Sequence, residues 1–214
     1  MLTILMMKIN KLSSGPDRAG RYRVDFEDGS VMRLYRQTVE DFGIYSGKEL
    51  TGEEMSQLQE AAGQMSSKMR ALRIISATNV SKKNLQQRLV QKGEDPNQAR
   101  QAVDWLEELD LLDDRKTAEQ VVSGCIRKGY GVARARQVLY EKRIPKEYWD
   151  AALEDYPDQH EAICSFLRSR LGNSQDEKSL RKAIDALLRK GHSYANIKKC
   201  LESLSMDEDF LEEV

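Results

Sequence analysis

Histidine is nearly missing from this chain: His160 and His192 are the only two among 214 residues. Without a matching Ser, Cys or ligand set beside them, nucleophilic and metal chemistry have little to build on. Cysteine is scarce as well. Cys125, Cys164 and Cys200 are odd in number and widely spaced, with no CxxC pair. That pattern excludes a disulfide framework and a Cys/His ligand cluster, and predicts reduced, packed thiols in a cytoplasmic protein. Long apolar runs are absent. The opening MLTILMM is too short and has no basic start for a signal segment, so it reads as a strand and no membrane partner is expected. There is no phosphate-cradling glycine loop, because GKELTG lacks the P-loop spacing and leads to no Lys-Ser/Thr pair. Asp113 and Asp114 are adjacent carboxylates that point apart at a helix border; Asp114 is read as the cap of the next helix, with Asp113 beside it. These absences predict a chain that is not an enzyme and takes no cofactor or metal.

What is present is helix. Only four prolines interrupt the chain, and 40 % hydrophobic with 32 % charged residues suits a folded, helix-rich protein rather than disorder. Three passages repeat one another without internal gaps: LVQKGEDPNQARQAV from Leu89, LYEKRIPKEYWDAAL from Leu139 and LLRKGHSYANIKKCL from Leu187, at offsets of 50 and 48 residues. Each carries an apolar stripe at i, i+3, i+4, i+7. The stripes are Ala99, Ala102, Val103 and Leu106; then Trp149, Ala152, Leu153 and Tyr156; then Ile197, Cys200, Leu201 and Leu204.

A second helix precedes each stripe, with Ser81, Gly131 or Ser179 before it as candidate caps and Leu85, Ala135 or Ala183 inside it. Gly93 and Gly191 end that helix where a left-handed residue is cheapest, and Arg143 holds the place in the middle copy. Proline at 96 and 145 suits the first turn of the following helix. With one more amphipathic run ahead of each copy, the unit is helix–helix–helix, a length typical of arrays that bury their faces on neighbours.

The front of the chain differs. RYRVDF alternates, breaks at Asp28-Gly29 and resumes at Val31 to Leu34, a hairpin signal that LTILMMKI extends to a small sheet. Thr51 and Glu54 form a capping box for a helix that follows. The fold class is therefore mostly α: tandem three-helix repeats in an elongated right-handed or arc-like array, preceded by a small N-terminal β-hairpin or sheet plus helix. The expected divisions are 1–64 for the β-plus-helix segment, 65–114, 115–156 and 157–204 for the repeats, and 205–214 for an acidic tail.

Net charge is −1, yet the charge is banded. Between Arg115 and Tyr148 nine Lys or Arg face three acids, and between Lys178 and Lys199 seven face one. Such bands attract phosphates or acidic grooves. Lys92, Lys142 and Lys190 recur at one repeat position, where lysine also complements a helix C-terminus. Trp149, on the inward stripe, is read as core, and Tyr130 as packing over a helix junction.

Leu109 to Leu153 carries LDD at Leu112–Asp114, an alanine-led helix at Ala118, the basic end Arg127-Lys128 running into KGYG at 128–131, the Arg-spaced helix of Arg134, and the closing Ala152-Leu153. This stretch resembles the RecX family of recombination regulators, and the repeats extend the resemblance over about residues 68–204. Thr117 departs from the family's usual aromatic, and Arg143 from its glycine. The resemblance implies binding to the RecA nucleoprotein filament and limitation of its growth, ATP hydrolysis, strand exchange and LexA cleavage, with single- or double-stranded DNA as a further ligand of some members. The expected contact residues, as a group, are Arg127, Lys128, Arg134, Arg136, Lys142, Arg181, Lys182, Lys190 and Lys198, on a chain expected to be a monomer. The alternative is a stand-alone DNA-binding regulator using helix-turn-helix-like units; a third reading is a plain scaffold whose acidic tail and basic bands pair with each other.

Overall fold

The computed structural model describes residues 6–172 and 176–204. The first residues of the predicted opening strand and the acidic tail at 205–214 lie outside them.

Four antiparallel strands in the order β3-β2-β1-β4 form the N-terminal sheet: β1 (Met6–Leu12), β2 (Arg21–Phe26), β3 (Val31–Tyr35) and β4 (Glu49–Thr51). The predicted hairpin is β2–β3, with Val24 opposite Met32 and Tyr22 opposite Leu34. Its turn places Gly29 at φ +82°, while the Asp28 carboxylate accepts the Ser30 N–H at 2.9 Å. Alternation puts Ile9, Val24, Phe26 and Leu34 into one buried layer with Leu50 and Leu58. The short helix α1 (Arg36–Asp41) and strand β4 were not foreseen; neither is long enough to show a period.

Helix α2 (Gly52–Ala77) starts at the predicted capping box: the Thr51 hydroxyl accepts the Glu54 N–H, and Glu54 reciprocates at the Thr51 N–H at 2.7 Å. It then runs 26 residues without interruption. Next come α3 (Lys82–Gln91), α4 (Pro96–Glu108), α5 (Asp114–Arg127), α6 (Val132–Glu141), a 3-10 turn (Lys146–Tyr148) leading into α7 (Trp149–Leu153), α8 (His160–Leu171), α9 (Glu177–Arg189) and α10 (Tyr194–Ser203). The chain is thus mostly helical behind a small antiparallel sheet.

Two compact units result. One gathers the described residues up to Thr78 with Leu85–Leu112; the other gathers Asn79–Asn84 with the described residues from Asp113 onward. The repeat stripes are where the sequence puts them: Ala99, Ala102, Val103 and Leu106 on α4, Trp149 and Leu153 on α7, and Ile197, Cys200 and Leu201 on α10 are all buried. In the second unit α5, α6 and α7 enclose one core around Val122, Ala135, Leu139 and Trp149, and α8, α9 and α10 another around Ile163, Leu167, Ile184 and Ile197.

The helix ends correct two expectations. Asp113, not Asp114, caps α5, accepting the Arg115 and Lys116 N–H groups, of which the Lys116 bond most strongly holds its carboxyl below the ordinary range. Asp114 instead accepts the Lys82 N–H at 2.8 Å, at the start of α3. Ser179 sits inside the first turn of α9, whose cap is Asp176; the Ser179 hydroxyl donates to it at 2.8 Å. A carboxylate one turn earlier outcompetes the hydroxyl because it accepts several donors at once. Gly93 and Gly191 are left-handed at φ +89° and +84°, and Arg143 takes the same turn at φ +57° despite its Cβ.

Candidate partner-binding surface

All nine residues expected to make contacts are exposed or partly exposed. Arg127 ends α5 and Lys128 is its C-cap; Arg134 and Arg136 lie on α6 and Lys142 is its C-cap. Arg181 and Lys182 lie on α9, Lys190 is its C-cap, and Lys198 lies on α10. The positions at helix ends follow from the macrodipole, which favours cations on the last carbonyls.

The fold brings three of them together. Lys128, Arg134 and Lys142 line one cleft of about 340 Å³ between α5 and α6, with Tyr130, Val138 and Glu141 in its walls and Cys125 at its base. Burial pushes the Cys125 thiol up, while the charges of Lys128, Arg134 and Lys142 pull it the other way, which marks their convergence on one point. Tyr130 is fixed by its own backbone: its carbonyl accepts the Tyr156 hydroxyl at 2.6 Å, and burial pushes that phenol up to about 12. Lys128 stands 6.0 Å from the Tyr130 ring centroid. The remaining six residues lie outside this cleft. Arg136 faces Asp150 at 3.2 Å, Arg181 faces Glu177 at 2.6 Å, and Lys190 stands over Phe166 at 4.8 Å.

The arginine partners are replaceable. Arg134 donates to Glu141 at 3.1 Å, but both side chains are well exposed, and such pairs contribute about 0–1 kcal/mol. A phosphate or carboxylate from a partner could take Glu141's place at little cost. The cleft can therefore hold an anionic group against three cations beside an aromatic face, and its residues make no constellation for bond chemistry.

One edge of this surface is set by glycine. The Gly131 N–H donates to the Lys190 carbonyl at 2.9 Å, and Gly191 lies against the backbone of Arg134, so the KGYG turn and the KGHS turn of the following repeat meet main chain to main chain. His192 completes the junction. It is 7 % exposed, Nε2 lies 3.1 Å from the Gly129 carbonyl, and Nδ1 is buried without a partner. This geometry requires the neutral ring with its proton on Nε2. Burial first, and the nearby Lys190 charge, hold the imidazole below its ordinary range, against the Gly129 bond that pulls it up.

A histidine depressed in the folded state binds more protons when unfolded, so stability is full above the ordinary histidine range and falls as pH drops through it. Denaturant midpoints measured from pH 8 to pH 5 should decline, and His192→Gln should flatten that decline; an unchanged slope would remove His192 from the junction's energetics. Nothing in the sequence marked His192 beyond the rarity of histidine.

The cysteine expectation is corrected. Cys164 on α8 and Cys200 on α10 are joined as a disulfide, with their Cα atoms 5.4 Å apart, and Cys125 alone is a buried free thiol. His160, one turn before Cys164, completes a Cys/His cluster whose donor atoms all lie within 4.8 Å of one another. The i, i+4 spacing of His160 and Cys164 was the available signal; Cys200, 36 residues further on, gave none. Among the described residues no helix is long and apolar enough to cross a membrane.

The same segment that builds the cleft matches a known family: residues 113–153, from the cap Asp113 to Leu153, fit the description "RecX, second three-helix domain". A relative named regulatory protein RecX, from Stenotrophomonas maltophilia, is 32 % identical over 133 residues, covering 61 % of this chain and 82 % of its own. The chain belongs to the RecX family. A Clostridioides difficile regulatory protein RecX aligns over 206 residues at 24 % identity, 94 % of this chain and 95 % of the relative. The fold agrees: a crystal structure of regulatory protein RecX superposes with a TM-score of 0.62 at 21 % identity, covering 90 % of this chain and 99 % of that one. Within the matched segment Thr117 is buried, with its hydroxyl donating to the Asp113 carbonyl at 2.7 Å. The first turn of α5 is thus held by a local hydrogen bond.

Proposed function

We propose that this protein is a noncatalytic regulator that binds the RecA nucleoprotein filament and restrains its recombinase, ATPase and LexA-coprotease activities. It would act as a monomer in the cytoplasm. The observation that carries this reading is the cleft of Lys128, Arg134 and Lys142 in the segment that matches the family. With Arg127 and Arg136 beside it, and Arg181, Lys182, Lys190 and Lys198 on the next repeat, it offers cations at several points to an anionic polymer. Several weak contacts along a polymer gain through effective concentration, so none needs to be strong alone. The contact units would be the three-helix divisions 65–114, 115–156 and 157–204, taking the C-terminal half of α2 as the first helix of the first.

The test is charge reversal. Arg134→Glu with Arg136→Glu should weaken binding to assembled filament by about tenfold or more, about 1.4 kcal/mol, with helicity by circular dichroism unchanged. The same variant should lose inhibition of filament ATP hydrolysis in parallel. Free RecA and naked duplex DNA serve as the comparison ligands. Wild-type affinity in the folded double variant would move the contact surface away from α6.

A further inference from the structure

We propose that His160, Cys164 and Cys200 form a reversible thiol-oxidation site whose oxidant is a hydroperoxide. Cys164 is 1 % and Cys200 0 % exposed, and their disulfide ties α8 to α10 within one apolar core. A cross-link serving only as a staple has no use for an imidazole against both sulfurs. Here His160 Nδ1 lies 3.2 Å from Cys200 Sγ, and Nε2 lies 3.7 Å from Cys164 Sγ. An imidazole at that distance takes up the thiol proton and holds the thiolate, the form that reacts. His160 is partly exposed, which gives the site an edge on solvent.

The closer sulfur, Cys200, is the attacking one and Cys164 the resolving one. The Cys200 thiolate attacks one oxygen of hydrogen peroxide, the O–O bond breaks, and hydroxide leaves, giving a sulfenic acid. Cys164 then attacks that sulfur, the S–S bond forms, the S–O bond breaks, and a second hydroxide leaves. With the two thiol protons the products are a disulfide and two waters, so two electrons pass from the thiols to the peroxide. A dithiol reductant reverses the cross-link by exchange.

A metal is the poorer occupant. Closed tetrahedral sites take four soft or imidazole donors, whereas among the described residues the trio is met by two neutral oxygens, the His160 carbonyl 3.1 Å from Cys200 Sγ and the Ser203 hydroxyl 3.8 Å from Cys164 Sγ. Cys125 is the internal control: it is buried as the pair is, and both histidines of the chain lie elsewhere, His160 on the pair and His192 on the Gly129 carbonyl.

The experiment titrates the reduced full-length chain with hydrogen peroxide and maps products by mass spectrometry after alkylation. One cross-link between the Cys164 and Cys200 peptides should form while Cys125 stays alkylatable, and Tm should rise by roughly 5–10 °C. His160→Gln should slow cross-linking at least tenfold and remove the ultraviolet thiolate absorption of the reduced protein. Should that variant fold poorly, Cys164→Ser should accumulate sulfenic acid at position 200, and Cys200→Ser should leave Cys164 inert. Cys125 reacting as fast, full reactivity in His160→Gln, or a disulfide that resists dithiothreitol in the folded chain would each overturn the proposal. So would one tightly held zinc ion per reduced chain, which would make the trio a metal site.

Discussion

Gly191→Ala should lower the stability of the second unit by about 2–4 kcal/mol. Two costs coincide there. Gly191 is left-handed at φ +84°, which charges an L side chain about 1–2 kcal/mol. The added carbon would also stand 2.5 Å from Arg134 Cβ and 2.9 Å from its Cα, against a backbone that cannot rotate away. Relief would require parting the KGHS turn from the N-terminus of α6, and with it the Gly131–Lys190 hydrogen bond. Gly129→Ala is the matched control: it is also left-handed, at φ +63°, but nothing lies within 4 Å of its new carbon, so it should cost only about 1 kcal/mol. Urea midpoints at constant slope separate the two. Equal losses would mean that the turns part freely and that the close approach stores no energy.

Glu94→Ala should cost the first unit about 2–4 kcal/mol, a large effect for an acidic residue just after a helix end. Glu94 is 9 % exposed and satisfies three groups of α2 at once: it accepts the Ser66 hydroxyl at 3.1 Å and the Ser67 hydroxyl at 2.9 Å, and pairs with Arg70 at 2.6 Å. Removing it strands the fully buried Ser67 hydroxyl and takes the carboxylate from Arg70, whose guanidinium keeps the Lys92 carbonyl at 3.3 Å; an unsatisfied buried group costs more than the bond gained in making it. Ser67→Ala should cost much less, about 1 kcal/mol, because Glu94 keeps two of its three donors. Thermal unfolding of both variants gives the comparison; a Ser67 variant that is the worse of the two would show that the hydroxyl, not the carboxylate, organises the network.

That network shows where sequence reasoning succeeds and where it stops. The apolar stripes were legible because a face that repeats every 3.6 residues has few explanations, and Ala99, Leu153 and Ile197 are buried accordingly. The left-handed turns at 93 and 191 were legible from glycine, and Arg143 showed that the repeat can impose the turn without it. Gly63 to Ser67, by contrast, surround the division expected between 64 and 65. Those residues lie inside α2, and their smallness serves packing: Gln98 of α4 occupies the space a Gly63 side chain would need.

The exchange of roles between Asp113 and Asp114, and the meeting of Cys164 with Cys200, depend on elements 32 and 36 residues away. No local pattern encodes such partners. The candidate surface was legible in its members and not in its grouping, since charge counting cannot tell Lys128, Arg134 and Lys142 from the six residues outside their cleft.

The uninterrupted course of α2 has a mechanical consequence. At about 1.5 Å per residue its 26 residues make a strut roughly 39 Å long. Leu58 sits in the sheet's core near one end, and Ser67 and Arg70 grip Glu94 further along. Arg73 reaches back from the far half to the Ala19 carbonyl and the Tyr35 hydroxyl at 3.0 and 3.1 Å. Sheet and first repeat therefore share a single beam with no joint in it, and neither can swing on the other unless the beam itself bends.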